Sequence, residues 1–403
     1  MLNKKGTLLT ISLVIVFVLI LSFAVVFAAN DKKASNTPCA RECTMQCTPN
    51  ALLPKPGTED LNVNDCILQC LSAVCGQATN VGTCDPVALD NCCNIFAEPS
   101  QDPDCCQASL DEYTIVTKQT MFDYVDVSGD KIAYQDYSLG NSNVFVYDTT
   151  TGIETLVTSS ANNARNPQIS GDIVVYQDYR FSNDDIYMYD LVTETETRIT
   201  TDPAWQTKPA IDGDKIVWQD FRNGNFDIYV YDLTTGEETG ITNPSDQLNP
   251  QISGDIVVYQ DHRNGAEDVY MYDLSTGVET QVTTDPSSQT APKIHGDKIV
   301  WLDNRNGNYD IYMYDLSTGV ETQMISGVSW QTKPAINSKS LAYLDDKTGS
   351  IELYVYDLYA QTTTQLTNDT SFKDYLAVGG TGIVYINMGE MDASVKLFDV
   401  VIC

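Results

Sequence analysis

The most regular polar feature of the chain is an Asp-x-Arg triplet. It occurs at Asp178/Arg180, Asp220/Arg222, Asp261/Arg263 and Asp303/Arg305, with a further aspartate at Asp185, Asp227, Asp268 and Asp310. Carboxylates gathered in this way suit a hard cation, so Ca²⁺ is one reading. No copy has the D-x-D-x-D-G spacing of a calcium loop. The other reading, an Asp–Arg ion pair that braces a hairpin in every copy, is preferred, and no resident cofactor or metal is then required. Catalysis has little to draw on. The chain holds two histidines, His262 and His295, at different positions of adjacent repeats. No G-x-S-x-G elbow is present and no Ser/His/Asp set can be assembled, so no catalytic residue is assigned.

Cysteine is the other reactive residue type, with 12 copies. Cys39, Cys43 and Cys47 fall at i, i+4 and i+8, along one helical face. Cys66 and Cys70 repeat the spacing and Cys75 follows, after a Pro/Gly-rich stretch that breaks the helix. Cys84, the pair Cys92–Cys93, the pair Cys105–Cys106 and the terminal Cys403 complete the set. Neither haem, iron–sulfur nor zinc spacing appears. In an exported chain such density reads as disulfide staples. The first part resembles a helical hairpin closed by twin C-x3-C motifs.

Export is read from the N-terminus. Lys4 and Lys5 precede an apolar run over residues 7–29. Its length, about 23 residues, exceeds both a signal-peptide core and the roughly 20 residues that span a bilayer. An uncleaved anchor with the lysines inside is expected. Cleavage after Val26-Phe27-Ala28, giving a secreted protein, is the alternative, and a prepilin-like cut after Gly6 is a third. The expected organisation is a signal or anchor at 1–29, a Cys-rich stapled region at 30–110 and a repeat domain at 111–403. The formal net charge of −32 argues against nucleic acid and against docking on an anionic lipid surface. Asn368-Asp369-Thr370 is a lone glycosylation sequon.

The elements that must position any site are repeats. A Gly-Asp turn before an apolar run recurs at Gly129, Gly171, Gly213, Gly254 and Gly296, with degenerate copies at Ser338 and Gly380. The spacing of about 42 residues gives seven units. Within 208–242 four strands are expected, at 210–212, 215–220, 227–232 and 238–242, joined by glycine-bearing turns. The second, Ile216-Val217-Trp218, is continuously apolar, so both its faces should be covered. Four strands per unit of this length describe a β-propeller blade.

The DIYxYDLxTGxETxxT stretch and the x-P-x-I-S-G-D-K-I-V-W start resemble TolB-type propeller repeats over about 290 residues. That resemblance implies a toroid with the x-P-x-I strand innermost and the ETxxT strand outermost. The fold expected is all-β: a seven-bladed propeller of four-stranded blades, preceded by a small disulfide-rich helical segment. The last unit lacks its outermost strand, and residues 113–117 match the missing piece, so the N-terminal strand should close the last blade. Cys403 should then lie beside Cys105–Cys106.

Function is read less directly. The loops Trp205-Gln206-Thr207-Lys208 and Trp330-Gln331-Thr332-Lys333 and the hairpins at Arg222, Arg263 and Arg305 should emerge on one rim. The candidate ligand contacts are Trp205, Gln206, Lys208, Arg222, Arg263, Arg305, Trp330, Gln331 and Lys333. The favoured reading is a non-catalytic propeller, anchored at the cell surface, that binds an envelope protein or a glycan. A metal-assisted polysaccharide lyase or hydrolase and a structural envelope or filament component are the alternatives.

Overall fold

Glycines set the blade. In the best-preserved unit Gly213, Gly224 and Gly236 have φ of +57°, +94° and +72°, which a residue with a Cβ adopts only under strain. They separate four antiparallel strands: Gln206–Asp212, Lys215–Asp220, Asp227–Asp232 and Glu238–Ile241. The computed structural model describes residues 111–399, except 159–162, 381 and 390–391. The apolar N-terminal run, the cysteine block, Cys403 and every bridge expected of them lie outside the described residues. Among the described residues no helix is long and apolar enough to cross a membrane.

Seven such four-stranded sheets follow one another around a ring. We number the blades from 1, which starts at Phe122, to 7, which starts at Phe372. Blade 7 is built from Phe372–Gly379, Gly382–Met388 and Ala393–Asp399, and its outermost strand is Asp111–Lys118 from the other end of the repeat domain. This strand runs antiparallel to the last one, with Tyr113 opposite Leu397 and Thr117 opposite Ser394. Its pairing gives blade 7 the strand that the chain's last repeat lacks, so one continuous stretch of chain spans both ends of the ring.

The core is divided into seven seams, one between each pair of neighbouring blades. The continuously apolar second strands explain this. Ile216, Val217 and Trp218 are all fully buried, with Val217 facing blade 4 while Ile216 and Trp218 face blade 2. The Trp218 indole N–H donates to Asp220 at 2.9 Å, so its burial leaves no unpaired donor.

One boundary differs from expectation. The innermost strand of blade 3 begins at Gln206, upstream of Pro209, rather than after it. Proline cannot donate to a ladder, which suggests a break there. A β-bulge absorbs it instead: Thr207 pairs with Gln219, pairing resumes at Ala210 with Val217, and Lys208 takes φ +55°.

Candidate functional site

Strand register fixes which loops share a face. Gln206 lies opposite Asp220, and Asp220 lies opposite Asp227. The loop entering each blade and the hairpin between its second and third strands therefore emerge together, while the Gly-Asp turns emerge on the opposite face.

On the shared face the bulge is repeated in every blade and aims one residue at the axis. These residues are Tyr124, Asn166, Lys208, Asn249, Ala291, Lys333 and Tyr375, all with φ between +44° and +55°. For non-glycine residues this conformation is costly and needs support. Four of them find it in the preceding blade. The backbone N–H groups of Asn166, Lys208, Asn249 and Ala291 donate to the side-chain carbonyls of Gln135, Gln177, Gln219 and Gln260 at 3.0–3.2 Å. The penultimate glutamine of each of those second strands is thus a clasp between blades.

Inside this ring lies an axial cavity of about 480 Å³, lined by Tyr124, Lys208, Lys293, Lys333, Tyr375 and a collar of prolines. Tyr124 and Tyr375 meet at 4.6 Å between ring centroids. The Lys208 ammonium donates to the Tyr124 hydroxyl at 2.6 Å and lies 4.8 Å from its ring. Lys333 sits 4.4 Å from the Tyr375 ring and pairs with Asp374 at 3.0 Å. Deeper, Lys293 donates to Gln251 at 2.9 Å. Burial, followed by repulsion from Lys208 and Lys333, holds the Lys293 ammonium below the usual lysine range despite attraction from Asp126. Asp126 accepts the Ile169 N–H at 2.8 Å, and burial pushes its carboxyl up to about 6.

The rim residues singled out from sequence divide into three groups. Trp205 and Trp330 are 53% and 57% exposed, the first beside Phe221 and the second edge-on to Tyr309. Lys208 and Lys333 line the cavity. Gln206 and Gln331 are fully buried, and their backbone N–H groups bond to Asp184 and Tyr309 of the preceding blades at 2.8 and 3.1 Å. They tie blades together, out of reach of solvent.

Arg222, Arg263 and Arg305 are braces. Each guanidinium meets the aspartate two residues before it at 2.6 Å, and Glu238, Glu279 and Glu321 of the outermost strands at 2.6–2.8 Å. Each also stacks on a tyrosine ring of the third strand. The glutamate and aspartate bonds raise the Arg263 guanidinium above its already high range, so it is permanently charged. The second aspartates are occupied as well: Asp227 accepts from Asn223 and from the Asn243 N–H, and Asp268 and Asp310 accept from Asn264 and Asn306. These oxygens face N–H donors and do not converge, which does not fit calcium. Among the described residues no three His, Cys, Asp or Glu side chains are placed to hold a metal. His262 lies in a hairpin of the shared face, 3.8 Å from Glu267, and His295 at the opposite end of an innermost strand.

Tyr124, Tyr375, Lys293 and Asp126 escaped sequence reasoning. The available signal was the residue just before or just after the axial proline position (Val125 and Leu376 in blades 1 and 7), which varies from blade to blade within an otherwise constant motif.

No family model and no curated protein matches the sequence. Solved structures share the fold. The propeller domain of the trilobed protease from Pyrococcus furiosus aligns with a TM-score of 0.57 and 15% identity over 70% of this chain and 94% of that one. An oligogalacturonate lyase in complex with manganese gives 0.57 and 15% over 73% and 94%. TolB from Acinetobacter baumannii gives 0.46 and 21% over 60% of this chain and 65% of the TolB chain.

Proposed function

We propose that this protein is a non-catalytic, membrane-anchored extracytoplasmic propeller that binds an envelope protein or a glycan on the face carrying the blade-entry loops. The observation that supports this best is the pair of tryptophans on that face. Trp205 and Trp330 belong to blades 3 and 6, and each is more than half exposed. Large aromatics held at a rim, with a polar surround, are the usual anchors of recognition surfaces. Export and anchoring rest on the N-terminal apolar run.

The test is capture from native envelope extract with the full-length chain as bait, repeated with purified partner and the Trp205→Ala/Trp330→Ala variant. The variant should lose binding while its thermal midpoint stays within a few degrees of wild type. Undiminished binding moves the site off this rim, and a large fall in midpoint makes the tryptophans packing residues. Cleavage of an acidic polysaccharide by the purified chain would overturn the non-catalytic assignment.

A further inference from the structure

We propose that the axial cavity binds a compact polyanion, a small molecule carrying two or three carboxylate or phosphate groups, through Lys208, Lys293 and Lys333. The first argument is pairing. In a chain with 55 acidic against 23 basic residues, a cation finds a carboxylate easily. Arg180, Arg198, Arg222, Arg263, Arg305 and Lys373 all do so. Among the described residues Lys208 and Lys293 form no ion pair, and both enter the same cavity from blades 3 and 5. Lys347 is similarly without a carboxylate but covers the Tyr354 ring at 3.6 Å.

The second argument is that the fold does not need this charge. At the position of Lys293 blades 3, 6 and 7 carry Ala210, Ala335 and Ala377, all buried. An alanine there completes the same strand. Lys293 instead keeps a basic group inside the cavity, where burial and the Lys208 and Lys333 ammonium groups together outweigh the attraction of Asp126, an arrangement that a bound anion relieves.

The cavity's chemistry sets the ligand class. Lys208, Lys293 and Lys333 come from three different blades and line one cavity, an arrangement that several anionic groups on one small molecule can engage together. Tyr124 accepts from Lys208, which leaves its own hydroxyl proton to donate. The side-chain amides of Gln168 and Gln251 already donate to Pro167 and Pro250 carbonyls at 2.9 and 2.7 Å, so the donors on offer are mainly ammonium groups. Three carboxylates lie near these groups without lining the cavity: Asp374 on Lys333, Asp123 on the Tyr137 hydroxyl, and Asp126 on the Ile169 N–H. They offset part of the positive charge, so attraction for an anion rests chiefly on Lys208 and Lys293, which form no ion pair among the described residues. A volume of about 480 Å³ lies within the range of small-molecule sites.

The test is calorimetric titration of the full-length chain at pH 7 and low salt with citrate, with pyrophosphate and with acetate as a single-charge control. Citrate or pyrophosphate should bind, more weakly as salt rises, and acetate should not. Lys293→Ala, which installs the residue of blades 3, 6 and 7, and separately Lys208→Met should each weaken binding about 10- to 100-fold, the loss expected for one charge-assisted hydrogen bond. The triple variant with Lys333→Met should not bind, whereas Lys215→Met on the opposite face should bind as wild type. Absence of binding by both polyanions at millimolar concentration, or wild-type affinity in the triple variant, overturns the proposal. Trp205→Ala/Trp330→Ala should retain polyanion binding, so this site and the rim reading fail independently.

Discussion

Lys118→Met is the most informative perturbation of the ring. Lys118 ends the strand that closes blade 7, yet its ammonium reaches into blade 1, where it contacts Asp136 and, at 3.0 Å, Glu154, and lies 4.0 Å from the Phe145 ring. In blade 2 the same cradle of Asp178, Glu196 and Tyr187 holds Arg180. Blade 1 has Ser138 at the arginine position, so the closing strand supplies the missing cation. Methionine keeps most of the apolar stem and removes the charge. The Asp136 side chain is 0% exposed and Glu154 36%. The Glu154 contact is therefore worth at most about 1 kcal/mol. Stranding a buried carboxylate costs about 3–5 kcal/mol when nothing else holds it. Here the Ser138 N–H and hydroxyl still donate to the other carboxylate oxygen at 2.8 and 2.6 Å, which lowers the expected loss to about 2–3 kcal/mol. Urea unfolding followed by tryptophan fluorescence measures this. Adding Asp136→Asn removes the stranded charge and should return the loss to about 1 kcal/mol. A loss below about 0.5 kcal/mol, or a double variant as unstable as the single one, refutes the claim that Lys118 neutralises a buried carboxylate across the closure.

Arg263→Met should cost a similar 2–3 kcal/mol in the same assay, because Asp261 is equally buried and would lose its guanidinium partner. Calcium should leave the thermal midpoint of the wild type unchanged, since these carboxylates are already committed. The Asp126 carboxyl titrates near 6 when folded and near 3.8 when unfolded. The folded state therefore binds the extra proton between those values, so this group's contribution to stability is largest below about pH 4, falls as pH rises through 6 and is flat above. The whole effect is at most about 3 kcal/mol. Asp126→Asn should abolish that fall, which should then appear as the pH-dependent difference between wild-type and variant stability curves measured from pH 4 to 7, and parallel curves would refute the assignment.

The blade was legible in the sequence because its causes are local. Glycine at Gly213 and Gly236 turns the chain, Ile216-Val217-Trp218 declares a strand covered on both faces, and a period of about 42 residues repeats the result. The closing strand was also readable, since residues 113–117 match an outermost strand that the last unit lacks. The Asp–Arg brace was visible as a repeated triplet, although its third member, such as Glu279 for Arg263, lies 16 residues away and enters only when the outermost strand pairs. The site was not legible in the same way. Sequence placed Gln206 and Gln331 among ligand contacts because they adjoin tryptophans, but a strand that begins before the proline buries both. Lys208 and Tyr124 are 84 residues apart and touch only because the bulges of blades 1 and 3 aim both at the axis. Lys118 and Asp136 meet only because the ring closes. Turn and strand chemistry act within a few residues, and so the sequence by itself determined the repeating unit and its number. Which side chains share the axis depends on a left-handed residue in each bulge and on seven blades completing a circle, and that was decided only by the tertiary structure.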